Sequence, residues 1–176
     1  QLFGDGLPFV LNSTRIISVR SPRFGHVVLR APQEDRVQWC AGEEYGMPAL
    51  AAGALALDFG GNIGDTTLQL HRLSPSSRIV TLEPVPLTYF YLRWNLHANG
   101  VPTFTSAADF AASPVGGVLA LNAGASSDSR NITMAYSLRR TKNAKLVRSE
   151  LDLDRLNGKA RRKREGSWRV LTVPTT

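Results

Sequence analysis

The sequence predicts an α/β fold built on a doubly wound, mostly parallel sheet, and three observations predict it. Short apolar runs alternate with amphipathic stretches through the middle of the chain, the order that a parallel sheet with right-handed crossovers requires. The first run, GALALDFG, stops at a glycine-rich turn, LDFGGNIGDTT, Leu57 to Thr67, where a helix begins. The second, RIVTLEP, stops at an acid, Glu83, followed by Pro84.

Each element has its own signal. Residues 1–33 read as an irregular lead-in holding two short strands, RIISVR and HVVLRA, with Pro22 and Gly25 marking the turn between them. QEDRVQWCAGEEYGMPAL reads as a helix or a pair of helical turns, interrupted by Gly42 and Pro48. GALALDFG is short, apolar and ended by Gly60-Gly61, which suits a buried strand. GDTTLQLHRL is the helix after it, with Asp65 at its start as a cap for free N–H groups. RIVTLEP is a second strand. In PLTYFYLRWNLHANG, Leu87, Phe90, Tyr91, Trp94 and Ala98 recur at helical spacing, and Asn99-Gly100 suits the C-terminal cap. GGVLALNAGASS is a third strand with a small-residue exit, SAADFAAS a loop or helical turn with Asp109 at the surface, and NITMAYSL and WRVLTVPTT two further strands. The expected organisation is a single domain: a lead-in over 1–33, a ligand-binding core over 34–130, and over 131–176 a basic insertion with the start of the following strand.

Composition narrows the function classes. The 176 residues are 43% hydrophobic, as in a globular domain rather than a disordered chain. The longest weakly polar run is broken by Pro48, Asp58 and glycines, so no transmembrane segment is expected. There is one cysteine, Cys40, and the three histidines are scattered, so neither a disulfide nor a metal site is expected. The compartment is not written in the sequence, and a soluble, cytoplasmic protein is the default. The net charge of +7 is concentrated: Arg139 to Arg169 holds twelve Lys/Arg against four acids, leaving the rest of the chain at −1. That segment is either a solvated insertion or a patch for nucleic acid. Only Trp168 interleaves its charges with an aromatic ring, which weakens a single-strand-binding reading.

The glycine turn carries the chemistry. In a doubly wound sheet, ligands bind beyond the carboxyl ends of the strands. Glycines let the backbone approach them. No Gly-x-Gly-x-x-Gly occurs at any start from Gly53 to Gly64, which counts against a nicotinamide dinucleotide. The turn instead reads Asp-x-Gly-x-Asn-x-Gly through Asp58, Gly60, Asn62 and Gly64. A diphosphate would be repelled by Asp58, whereas a ligand with an ammonium group would be favoured. The helix N-terminus can receive a carboxylate. Glu83, nineteen residues after Gly64, suits the two hydroxyls of a ribose; its alternative is a cap, with Pro84, for the next helix. Asn122-Ala123 ends the third strand, where a small residue admits an adenine ring and Asn can bond its edge. The candidate cofactor-binding set is Asp58, Gly60, Gly61, Asn62, Ile63, Gly64, Glu83, Pro84, Asn122 and Ala123, and the ligand it favours is S-adenosylmethionine. His71 and His97 read as surface or boundary residues, Tyr89, Tyr91 and Trp94 as packing, and no catalytic base stands out.

Three ordered blocks, LALDFGGNIGDTTL, RIVTLEPVPLTYFYLRWNLHANG and LALNAGASSDS, together resemble the FkbM family of S-adenosylmethionine-dependent methyltransferases. Its pattern is D-x-G-x-N-x-G-D-T, then E-P-x-P opening a helix that ends N-L-x-x-N-G, then N-A-A-x-S-D. Asp58, Gly60, Asn62, Gly64, Asp65 and Thr66 match the first block; Glu83, Pro84, Pro86, Asn95, Leu96, Asn99 and Gly100 the second; Asn122, Ala123, Ser127 and Asp128 the third, with Gly124 where the family often has Ala. EDRVQWCAGEEYG resembles the family's helical lead-in. After Asp128 the sequence departs from the pattern, and the expected sheet is incomplete. The resemblance implies a class I, Rossmann-like methyltransferase fold, S-adenosylmethionine as methyl donor, and transfer to a hydroxyl of a small molecule or glycan. An NAD(P)-dependent oxidoreductase and a non-catalytic basic nucleic-acid-binding module are the alternatives.

Overall fold

A computed structural model describes residues 14–33, 47–127, 130–136, 144–147, 152, 154–156 and 169–175. The chain is mixed α/β around a four-stranded parallel sheet. Strands β1 (Thr14–Ser21) and β2 (Gly25–Pro32) form an antiparallel hairpin, Thr14 opposite Pro32 and Ser21 opposite Gly25. Gly25 closes the turn at φ 72°, a left-handed conformation that glycine adopts without strain. Val27, Leu29 and Ala31 alternate onto one buried face. Most of the helical lead-in expected over 33–50 lies outside the described residues; Met47 to Leu50 are irregular.

The sheet comprises β3 (Leu55–Phe59), β4 (Arg78–Leu82), β5 (Thr103–Phe104) and β6 (Gly117–Leu121), in the order β3-β4-β6-β5, all pairs parallel. Between them run α1 (Asp65–Leu73), α2 (Pro86–Ala98) and α3 (Ala107–Ala112). Leu68 of α1, Leu92 and Leu96 of α2, Ile79, Val118 and Ala120 of the sheet, and Phe24, Val27 and Leu29 of the hairpin share one core. On the opposite face Phe110 of α3 meets Phe104 at 5.7 Å, and Arg78 lies over the Phe110 ring at 4.4 Å. The strand expected to be buried, β3, is half-buried on one face only: at this edge of the sheet Leu55, Leu57 and Phe59 remain 56–61% exposed. Strands of a parallel sheet carry apolar residues on both faces, and no described residue covers this part of the second face.

Two asparagines fasten the hairpin to α2. The Asn95 amide accepts from Arg30 N–H at 2.6 Å and donates to Arg30 O at 3.1 Å; the Asn99 amide accepts from Val28 N–H at 3.0 Å and donates to Val28 O at 2.6 Å. Each side chain thus imitates the strand partner that the outer edge of β2 lacks among the described residues. The match is metrical: four helical residues advance about 6 Å and two strand residues about 6.7 Å. Asn95 also donates to Ile63 O at 2.7 Å, joining hairpin, helix and glycine turn. Helix α2 then ends as its Asn-Gly signal foretells: Gly100 at φ 70° donates to His97 O and Val101 to Leu96 O, each at 3.0 Å, a Schellman closure.

Three expectations change in detail. The N-cap of α1 is Gly64, without a side-chain cap, and Asp65 is the first helical residue. The two-residue strand β5 carries too short an apolar signal to be foreseen. WRVLTVPTT does form a strand, β9 (Arg169–Val173), but it does not extend the parallel sheet. It pairs antiparallel with β7 (Ile132–Tyr136), which also pairs with β8 (Lys145–Leu146). This small sheet joins the exit of β6, where Gly124 N–H donates to Pro174 O at 2.9 Å. No helix among the described residues is long and apolar enough to cross a membrane.

Candidate functional site

The site lies at the carboxyl ends of β3 and β4. Gly60, Asn62 and Gly64 take left-handed conformations at φ 82°, 49° and 87°. Every second residue of the turn therefore reverses the chain, and Asn is the non-glycine residue that tolerates this best. Gly60 and Gly61 both donate to Leu82 O at 2.9 Å, so the turn is folded back onto β4. The glycines serve different needs. A Cβ on Gly61 would lie 2.1 Å from Thr81 Oγ1 and 2.6 Å from Leu92 Cδ1, so that position is closed by packing. A Cβ on Gly60 would meet nothing within 4 Å. Gly60 therefore faces open space, and its positive φ alone demands glycine.

Glu83, 6% exposed, is bound into this turn. Its Oε2 accepts from Asn62 N–H at 2.9 Å and its Oε1 from Val85 N–H at 2.8 Å. Each oxygen keeps a second lone pair. The bond to Val85 ties Glu83 to the N-cap residue of α2, a helix without a side-chain cap. Burial pushes the Glu83 carboxyl up to about 7; the two backbone bonds pull it down and the charge of Asp58 adds to the rise. Asp58 is raised by burial, against the Thr67 and Thr81 hydroxyls, which lower it. Its Oδ2 accepts from Thr67 Oγ1 at 2.5 Å, and Thr81 Oγ1 lies 3.5 Å away.

The other candidates divide by direction. Asn122 donates both amide hydrogens to backbone, to Glu83 O at 2.8 Å and Pro84 O at 3.1 Å. It clips the Glu-Pro loop to β6, and only its carbonyl oxygen remains for a ligand. Ala123 is buried beside it and Pro84 half-buried. Ile63 sends its side chain into a core cluster with Ala31, Phe90 and Tyr91, so only its backbone can meet a ligand. Asn62 Oδ1 is buried with no hydrogen-bond partner among the described residues, a cost that a ligand donor would relieve.

Sequence reasoning missed Thr67 and Thr81, both fully buried. Their signal was present: a hydroxyl amid apolar neighbours in RIVTLEP, and another two residues into the helix after the glycine turn. His71 is buried rather than peripheral, with its pKa lowered by burial and then by Arg72; His97 is exposed. Tyr89 donates to Ala120 O at 3.0 Å, Tyr91 is buried, and Trp94 lies under Arg30 at 5.3 Å, all packing roles. Asp109 is exposed. Of the basic segment, Lys145 and Arg155 are exposed, Arg169 lies in β9, and the other nine cations fall outside the described residues, as do Cys40 and Asp128. No protein-family model, curated protein or solved structure matches the chain.

Proposed function

We propose that the chain binds S-adenosylmethionine at the turn after β3 and that its fold is a class I, Rossmann-like methyltransferase type acting on a hydroxyl of a small molecule or glycan. The observation that carries this reading is the bond from Asn62 N–H to Glu83 Oε2, which couples the glycine turn to the acid of the next strand. A nucleoside with an amino-acid arm needs both at once: an acid for its ribose and an open turn for its polar arm. The residues fit that ligand. Gly60 leaves room, Asn62 Oδ1 has no donor among the described residues, and Asp58, two residues before Gly60, carries a carboxylate that favours an ammonium group. The first-turn N–H groups of α1 suit the ligand's carboxylate. Among the described residues β3 stands at an edge of the parallel sheet, with Leu55, Leu57 and Phe59 exposed, which suits the edge of a larger Rossmann-like sheet.

The bound sulfonium supplies an already activated methyl group, so the protein's part is to bind and align. Asp58 and the α1 terminus hold the amino-acid arm, Glu83 the ribose, and the Asn122 clip keeps Glu83 in register with β6. No described residue stands out as a base for the acceptor. Calorimetry with S-adenosylhomocysteine tests the reading: one-site binding is expected. Absence of binding, with NAD binding in its place, would point to a dinucleotide oxidoreductase and overturn it.

A further inference from the structure

We infer that Thr67 and Thr81 are positioning residues that make this site selective for nucleosides bearing an amino-acid arm, by holding one oxygen of Asp58 inside the fold and leaving the other for the ligand's ammonium. The inference rests on the nucleoside reading above and adds what sets its specificity.

The three side chains come from three elements. Asp58 and Thr81 are register partners on neighbouring parallel strands, and Thr67 lies in the first turn of the helix above them. Both threonines are fully buried, where an unpaired hydroxyl is costly and valine of the same shape would serve packing alone. Their hydroxyls converge on a single atom. Thr67 Oγ1 donates to Asp58 Oδ2 at 2.5 Å and lies 3.2 Å from Thr81 Oγ1, which is itself 3.5 Å from the same Oδ2. The two hydroxyls and Oδ2 thus form a closed cluster, with each threonine within reach of the same carboxylate oxygen and of the other. Asp58 Oδ1 takes no hydrogen bond from any described residue, since both threonine contacts fall on Oδ2. The carboxylate is therefore held through one oxygen and half-satisfied, partly exposed, and two residues before Gly60, where a Cβ would meet nothing within 4 Å. The group that completes it is a donor with positive charge. Thr81 also seats the turn, because its Oγ1 occupies the place that a Cβ on Gly61 would need.

The test compares two ligands of the full chain by calorimetry: S-adenosylhomocysteine, which has the amino-acid arm, and 5′-methylthioadenosine, which keeps the adenosine thioether and lacks it. The wild type is expected to prefer the first. Thr67→Val should cut that preference about fivefold or more while leaving methylthioadenosine affinity within about twofold, since one charge-assisted bond is lost. Thr67→Ser should restore the preference, and Thr81→Val should act in the same direction with smaller effect. Equal loss of both ligands in Thr67→Val, or an unchanged preference, would show the threonines to be structural only and overturn the inference while the nucleoside reading stands. A wild type that binds neither ligand would overturn that reading and this inference together. Should Thr67→Val fail to fold, the ratio in Thr81→Val decides by the same criterion.

Discussion

Asn62 and Glu83, twenty-one residues apart, are joined by a 2.9 Å bond from the backbone N–H of one to the carboxylate of the other. The bond places a buried acid under a turn whose glycines have no side chains to shield it. It makes Glu83 at once a strut of the fold and the most perturbed acid of the site.

Stability should therefore depend on pH through Glu83. Its folded pKa is raised from 4.5 to about 7, so the folded state holds a proton that the unfolded chain releases across that window. The stabilisation is complete below pH 4.5 and is lost as pH rises through 7. The full effect is on the order of 3 kcal/mol. His71, whose pKa is lowered, works oppositely, losing stability as pH falls through its ordinary value of 6.5. Asp58, raised by burial, adds to the Glu83 trend. The difference in urea-unfolding free energy between wild type and Glu83→Gln, followed from pH 4 to 8, isolates Glu83. It should change by this amount, and a difference independent of pH would refute the assignment.

The two asparagines of α2 should differ in weight. Asn95→Ala strips partners from Arg30 N–H, Arg30 O and Ile63 O, and Asn95 is fully buried. A loss of about 2–4 kcal/mol is expected. Asn99 is half-exposed and water can replace its amide, so Asn99→Ala should cost about 1 kcal/mol. Urea denaturation of the two variants gives the comparison; equal losses would show that the hairpin is held by its apolar face alone.

The glycines of the turn should fail for separate reasons. Gly61→Ala collides with Thr81 and Leu92 and should cost about 1–3 kcal/mol. Thr81→Ala removes the nearer of the two clashing atoms and leaves Leu92 to give way, so the double variant should show a favourable coupling above about 0.5 kcal/mol. Gly60→Ala meets no neighbour but must hold φ 82°, which costs about 1 kcal/mol and should show no coupling to Thr81. A thermodynamic cycle on thermal unfolding separates the two.

Asp58→Asn should weaken S-adenosylhomocysteine about tenfold or more, the worth of roughly 1.4 kcal/mol of charge interaction, and leave the melting temperature of the ligand-free chain nearly unchanged. Burial raises the Asp58 carboxyl, so the neutral amide escapes that penalty. Saturating ligand should raise the wild-type melting temperature more than that of the variant; equal shifts would remove Asp58 from the ligand's contacts.

Much of this was legible in the sequence because it is local. Apolar runs of strand length, the 3.6-residue pattern of PLTYFYLRWNLHANG and the Asn-Gly stop follow from backbone preferences acting over a few residues, and β3, α1, β4, α2 and β6 fall where those signals lie. The glycines and Asn62 were readable for the same reason: a left-handed turn admits few residue types. Tertiary structure alone decided what each polar side chain spends its bonds on. It joined Thr67 and Thr81 to Asp58, committed the Asn122 amide to backbone, drove Ile63 into the core and set Asn95 and Asn99 against the edge of β2. It also gave β9 an antiparallel partner in β7. Those choices depend on which chemical groups meet across tens of residues of chain, and a burial cost that any nearby partner can offset leaves no periodic mark in the sequence.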